Sequence, residues 1–393
     1  MGEGAELPKA ARRVRGNGLK IAPIPLTRLI ARLCSQFATL SRKETFAQFS
    51  FRECGHRDSV VVKIRWGLIM AERILGQLSL ADGLVAGIAQ SVLDDIATVV
   101  DWPALAAVLG SRNGAGPGSP GYPSLLLLRC LLLGVWHGLS DPALEHAIKD
   151  RLSFRRFAGL SLHDPVPDHS TLWRFRMELA ADGLVDRVLA EINRQLEVKG
   201  LIVKHGTLVD ASLVAARARP GSKPGARGAE PGKASADPDA RWGRKGKQSI
   251  FGYKIHIGVD AQHTLVRRVA LTDASVTDTE RGDELICGDE TAVYGDQAYY
   301  THARHARLSE GGIKDRLMRR PNKHHPKLSA RHRRRNRLIG RVRSGVERPF
   351  AMLKERYGLR CMRFFAMIRN QVQTVLACCA YNLRRAATVL APT

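Results

Sequence analysis

Two spacings of apolar residues divide this chain. Between Met70 and about residue 200 they recur every three or four positions, the period of an amphipathic helix. From 201 they alternate or run in short β-branched stretches, and from about Ser329 the helical period returns. The stretch "MAERILGQLSLADGLVAGIAQSVLDDIATVVDW" predicts helix, and a Gly/Pro linker, "LGSRNGAGPGSPGYP", follows it at 109–123. Ser124–His137 predicts a strongly apolar helix. Ser140-Asp141-Pro142 predicts another, running to about Leu152, because a cap residue is followed by proline in the first turn. Asp168 caps a further helix whose early exposed positions are His169, Ser170, Arg174 and Arg176. This all-helical stretch fits a helix-turn-helix-like DNA reader. It fits a helical scaffold with an ordinary basic face equally well.

"LIVKHGTLVDASLV" opens the second pattern as a strand. "SIFGYKIHIGVD" sets Phe251, Tyr253, Ile255, Ile257 and Val259 on one face and Lys254 and His256 on the other, a half-buried strand. "HTLVRRVALTD" is its expected antiparallel neighbour, with Asp260-Ala261-Gln262 in the turn. "TAVYGDQAYY" predicts a short buried strand ending at Asp296, and "GIKDRLMRRP" a fifth strand. Helices follow, the last through "NQVQTVLACCAYNLRRAATVL". Three consecutive strands and then alternating helix and strand predict an α/β fold, a mixed sheet flanked by helices and preceded by an all-helical domain. The expected domains are a basic extension at 1–69, a helical domain at 70–200 and an α/β domain at 201–393. A Gly-, Pro- and Arg-rich mobile loop is expected at 215–249.

Charge sharpens this picture. The 393 residues carry a formal net charge of +25, which points to a polyanionic partner, nucleic acid before others. The segment from Lys314 to Arg360 holds 17 Lys and Arg against Asp315, Glu347 and Glu355, more than half of the excess. A solvated face seldom concentrates charge in this way, whereas a groove for DNA phosphates does. The seven cysteines form no CxxC pair and sit mostly in apolar runs, so they read as small core residues in a reducing, cytoplasmic compartment. No apolar run is long enough to span a bilayer, and no secretory leader is evident. Residues 1–69 are basic and show little sustained periodicity, so translation is expected to begin near Met70.

Three acids stand out by position. Asp210 lies on or near the end of the first strand, in an apolar context, Asp296 at the end of another, and Glu347 just before a helix that Pro349 opens and Gly358 stops. Such acids from separate elements suit a site for two Mg²⁺ ions, which take oxygen ligands and stabilise the attacking and leaving oxygens of phosphodiester chemistry. The plainer reading is that the two aspartates are turn or cap acids and that Glu347 pairs with nearby Arg343.

Several blocks in order, "LVDASLV", "DPDARWGRKGKQSIFGYKIHIGVD", "YGDQAYY" and "RVRSGVERPFAMLKERYGLRCMRF", resemble the DDE transposases of bacterial insertion sequences, specifically the insertion sequence 5 family. "GLSDPALEHAIKDRLSFRRFAGLSLHDPVPDHSTLWRFR" resembles the N-terminal region of that family, and the likeness covers roughly 75–390. The resemblance implies an RNase H-like catalytic domain with Asp210, Asp296 and Glu347 as catalytic triad and ligands of Mg²⁺ or Mn²⁺, two ions in all. It implies double-stranded DNA as partner (terminal inverted repeats and target), a dimer or larger synaptic complex, and a cytoplasmic, nucleoid-associated protein. The implied reaction cuts the transposon end to expose a 3′-OH, which then attacks target DNA. Arg343, Glu347 and Lys354 match the family's Tyr-x2-Arg-x3-Glu-x6-Lys signature, with Gly340 in place of the tyrosine. Arg343 and Lys354 are the expected phosphate contacts, joined by Lys254 and His256 from their strand and by Arg174 and Arg176 from the helical region. The competing readings are an inactive DNA-binding relic and an RNase H-like nuclease that cuts without joining.

Overall fold

The computed structural model describes residues 48–50, 59–61, 75–77, 91–110, 121–221, 235–246, 248–321 and 326–391. All of the expected helix at 70–90 except 75–77, which are not helical, the middle of the Gly/Pro linker, the centre of the basic loop at 222–234, and Cys34 and Cys54 lie outside them. Met1–Ile69 and Met70–Thr393 form two separate compact units. The described part of the first is a two-stranded antiparallel pairing, β1 (Gln48–Ser50) with β2 (Ser59–Val61).

The second unit opens with helices, as the apolar period predicts: α1 (Val92–Ala97), α2 (Trp102–Leu109), α3 (Ser124–Trp136), α4 (Asp141–Asp150), α5 (Leu152–Ala158), α6 (His169–Ala180) and α7 (Leu184–Val198). The predicted caps are in place. Ser140 accepts the N–H of Ala143 at 3.3 Å, and Asp168 accepts that of Thr171 at 2.6 Å. The sequence reading ran α4 to Leu152. The chain instead breaks at Arg151, whose extended backbone ends α4 and starts α5, and Gly159 in a left-handed conformation ends α5.

The sheet has six strands: β3 (Thr207–Ala215), β4 (Arg241–Lys245), β5 (Gln248–Asp260), β6 (Val266–Asp273), β7 (Ala292–Gly295) and β8 (Lys314–Leu317). Their order is β4-β5-β3-β7-β8, with β6 paired to β5 beside β4. β3, β4, β5 and β6 pair antiparallel, and β3, β7 and β8 parallel. The helices α8 (Asp278–Arg281) and α9 (His302–Glu310) lie between strands, and α10 (Ala330–Arg343), α11 (Glu347–Glu355) and α12 (Met367–Leu390) follow them. The architecture is the predicted mixed sheet with helices. One strand was missed: β4 lies within the stretch read as loop, where only its pairing with β5 makes it a strand.

The helical region and strands β3, β5 and β6 share one apolar core, and a second, smaller cluster lies around β7, β8 and α9. The long helix α12 joins the helical region to the sheet. Trp136 of α3 donates through Nε1 to the Ala380 carbonyl at 2.9 Å. Asn382 accepts from Val266 N–H and donates back to its carbonyl, both at 2.8 Å, which fixes α12 on β6. Its first turn is capped from the basic loop, where Asp237 accepts the Ala366 N–H and Asp239 that of Met367. Cys130, Cys378 and Cys379 are buried in this core, as expected of small apolar residues, while Cys361 is exposed. Among the described residues no single helix is long and apolar enough to cross a membrane.

Removing the Asn382 amide deletes both bonds to Val266 from a buried site. Asn382→Ala is expected to lower stability by about 2–3 kcal/mol in denaturant titration. Thr388→Ala, exposed on the same helix, should stay within about 0.5 kcal/mol of the parent. Equal effects from the two would remove Asn382 as the joint between helices and sheet.

Candidate active site

Strand register brings the first two acids together. The parallel ladder of β3 and β7 pairs Thr207 with Val293 and Leu208 with Tyr294. Two residues further on, the same register sets Asp210 beside Asp296, the residue that leaves β7. Neighbouring strands lie about 4.8 Å apart, so the carboxylates rise from adjacent backbone positions. Asp296 also caps the 3-10 turn Gln297–Tyr299, accepting the Ala298 N–H at 2.8 Å.

The third acid arrives on a helix laid along β3. A Cβ on Gly345 would come within 3.2 Å of Leu208 Cδ1, so the 3-10 turn Ser344–Val346 approaches the strand closely. Further along, Lys354 Nζ donates to the Leu213 carbonyl at 3.0 Å, and the Met362 N–H to that of Ala215 at 2.9 Å. All three tethers advance in the direction of β3. Seven helical residues rise about 10 Å, and three strand residues cover about the same distance. The path back from Lys354 at Leu213 therefore carries the start of α11, with Glu347, toward the Asp210 stretch of β3.

Arg343 completes the group. Its NH2 lies 3.0 Å from Asp210 Oδ2, and both side chains are largely shielded, at 23% and 17% exposure. The plain alternative of a Glu347–Arg343 pair is therefore not what forms: Arg343 pairs with Asp210, and Glu347 is exposed without an ion pair among the described residues. Burial pushes the Asp210 carboxyl above its usual range, and the Asp296 charge adds to that, while Arg343 works against it. Tyr299 lies beside these charges with its hydroxyl buried and without a hydrogen-bond partner. Burial and the charges of Asp278, Asp210 and Asp296 push its phenol upward. The donor set is three carboxylates with a guanidinium where a cation is called for, and it fits hard divalent ions such as Mg²⁺. With Arg343 on Asp210, the three carboxylates are not drawn to within 4.8 Å of one another.

Among the described residues one other group, Cys287, Asp289 and Glu290, does meet that distance. Its charge is already answered from within the protein. Arg267 and Lys204 both pair with Asp289, and Glu290 accepts the N–H groups of Cys287 and Asp289. Despite partial burial, these partners hold Asp289 down to about 2. This group ties the loop before β7 to the segment leading into β3 and to β6.

Other predicted contacts fall differently. His256 is fully buried against Thr272, 3.0 Å from its hydroxyl, and burial pushes its imidazole down to about 4, so it is neutral and out of reach of DNA. Sequence alternation missed this because both faces of β5 are covered. Gly258 lets the Leu285 backbone approach so closely that a Cβ would lie 2.4 Å from its carbonyl oxygen. Lys254 is turned inward as well, donating to the Val276 carbonyl at 2.6 Å and pairing with Asp278 at 3.0 Å. Arg176 is buried in a two-pronged bond with Asp141, at 2.7 and 2.8 Å, and does not face solvent. Arg174 is exposed, beside exposed Trp173 on α6. Lys354 serves as a tether of α11. At Gly340 a Cβ would come 3.3 Å from Met318 Cε. Tyr299 was not singled out in the sequence, although its place three residues after Asp296 was the available signal.

Residues 203–383 match the family model described as transposase DDE domain, and residues 86–178 the one described as transposase domain (DUF772). The first match contains Asp210, Asp296 and Glu347, and the second contains the capped start of α6. No solved structure matches the chain.

The depressed histidine gives a pH signature. His256 is neutral in the fold but takes a proton in the unfolded chain near its ordinary 6.5. Its contribution is complete above that value and is lost as pH falls toward about 4. Denaturant midpoints should fall across this window, and less steeply in His256→Gln. The same loss in parent and variant would show that His256 does not titrate as described.

Proposed function

From a chain that carries a transposase DDE domain, we propose a transposase of the insertion sequence 5 type that binds the ends of its own element. It cuts DNA there and joins the freed ends to a target. What supports this reading is the β3–β7 register that carries Asp210 toward Asp296, and the tether of Lys354 that runs the helix of Glu347 along the same strand, within a segment of strong positive charge.

Divalent ions, Mg²⁺ or Mn²⁺, when bound supply charge neutralisation for the attacking and leaving oxygens of the phosphodiester. Asp210 and Asp296 would hold them from the sheet and Glu347 from the helix. Water adds to the phosphorus in the first step and the 3′-oxygen leaves as a hydroxyl. In the second step that hydroxyl attacks a target phosphodiester and displaces its 3′-oxygen. Arg343 and Lys354 lie along the same helix path and would hold phosphates near the cut. Two copies, each engaging one end, would make the paired complex that joining of two ends requires.

The DNA track is supported by which arginines are committed. Arg319 and Arg335 lie 2.9 and 3.7 Å from the carboxylate of Asp315, and Arg304 is 2.7 Å from that of Asp283. Arg334, Arg337, Arg341 and Arg348 are exposed, and none forms an ion pair among the described residues. Arg334, Arg337 and Arg341 recur at three and four residues along α10, one stripe of like charge, and Arg348 follows at the start of α11. Such a stripe repels itself along a helix until an anion covers it. A run of phosphates would do so.

The deciding experiment uses DNA carrying the gene's own flanking ends, with Mg²⁺, comparing the parent with Asp296→Asn. The parent should yield 3′-OH ends and joined products, while the variant binds the same DNA and yields neither. Cleavage without joining would leave a nuclease, and binding without cleavage by the parent a DNA-occupying relic. For the stripe, Arg334→Gln and Arg341→Gln together should flatten the plot of log affinity against log salt by about 1.8, near 0.9 for each contact. An unchanged slope would take these two residues off the DNA.

A further inference from the structure

The cation that serves Asp210 in this structure is a side chain of the protein. Arg343 NH2 sits 3.0 Å from Asp210 Oδ2 in a shielded position. A guanidinium keeps its charge throughout the physiological pH range, so no proton loss can clear it from the carboxylate. Its hold is incomplete, because Arg343 Nε is buried and has no acceptor. Glu347, four residues on, is spaced for a helical pair with Arg343, yet Arg343 turns to Asp210 instead.

We infer that Arg343 is a removable stand-in for the metal: it excludes divalent ions from Asp210 until a DNA phosphate draws it away. This rests on the reading of Asp210, Asp296 and Glu347 as the metal ligands. A divalent ion and a guanidinium cannot share one carboxylate oxygen without strong repulsion. A guanidinium that leaves Asp210 needs another anion, and a phosphate offers the two-pronged acceptor its fork prefers, including one for the unsatisfied Nε. DNA binding thus frees a ligand, and metal binding frees an arginine for DNA. Each favours the other by the same factor, because the coupling is reciprocal. The ions that support cutting are then held tightly only on a chain that already holds substrate.

The test measures Mn²⁺ alone, without DNA, binding to the full-length chain by the paramagnetic resonance signal of the free ion. Three variants are compared with the parent: Arg343→Gln, Arg343→Lys and Asp296→Asn. Arg343→Gln should bind Mn²⁺ at least about fivefold more tightly than the parent. Arg343→Lys, which keeps a charge but not the fork, should fall between them. A second readout is the affinity for a labelled duplex with and without Mn²⁺. The ion should tighten DNA binding by the parent and have little effect on Arg343→Gln. Unchanged or weaker Mn²⁺ binding in both Arg343 variants, with weaker binding in Asp296→Asn, overturns the stand-in role and leaves the ligand assignment intact. Unchanged Mn²⁺ binding in Asp296→Asn overturns the ligand assignment, and the inference with it.

Discussion

Two carboxylates side by side at the end of a parallel strand pair are the constraint on which the rest of the site depends. The register of β3 with β7, carried two residues past its last pair, brings Asp210 beside Asp296. Their repulsion and the shielding of Asp210 must be answered by positive charge, and burial already holds Asp210 in a state less willing to ionise. The helical path from α10 to α11 supplies that charge through Arg343, which reaches Asp210, and one turn later carries Glu347, the third acid of the proposed site. The tether from Lys354 to the backbone of β3 keeps this path in step with the strand. Stability and function thus pull on one geometry: the packing that orders α11 also sets the height of its acid.

The arginines divide by environment. Those that clamp loops to the sheet, such as Arg267, Arg304 and Arg319, are paired with carboxylates and act as structural crosslinks. Those on the outer face of α10 and the start of α11 lack such partners among the described residues. Much of the charge excess between Lys314 and Arg360 therefore stays on exposed side chains after internal pairing, the form in which charge acts on a polyanion.

Much of this was legible in the sequence because it depends on local pattern. The strand at 248–260, the caps at Ser140 and Asp168, and the end of β7 at Asp296 follow from period and cap chemistry, and they appear where expected, whereas Asp210, read near a strand end, lies inside β3, which runs on to Ala215. What was not legible depends on a second layer. His256 and Lys254 sit on the polar side of their strand by alternation, yet another layer covers that side, so both turn to internal partners. Arg176 has the spacing of an exposed helical residue, but Asp141 and the ring of Phe364 enclose it. β4 has no strand signal of its own and exists through β5. The three acids of the proposed site stand far apart in the sequence, on separate elements. That Arg343 would choose Asp210 over Glu347 is a matter of tertiary geometry, which spacing alone left open.

The most direct test of the central claim is the position of Mn²⁺ in crystals of the protein bound to its end DNA, read from anomalous scattering. The account predicts metal density at coordination distance from Asp210, Asp296 and Glu347, with Arg343 withdrawn onto phosphate. Density at Cys287, Asp289 and Glu290 instead, with the triad empty and Arg343 still on Asp210, would contradict it.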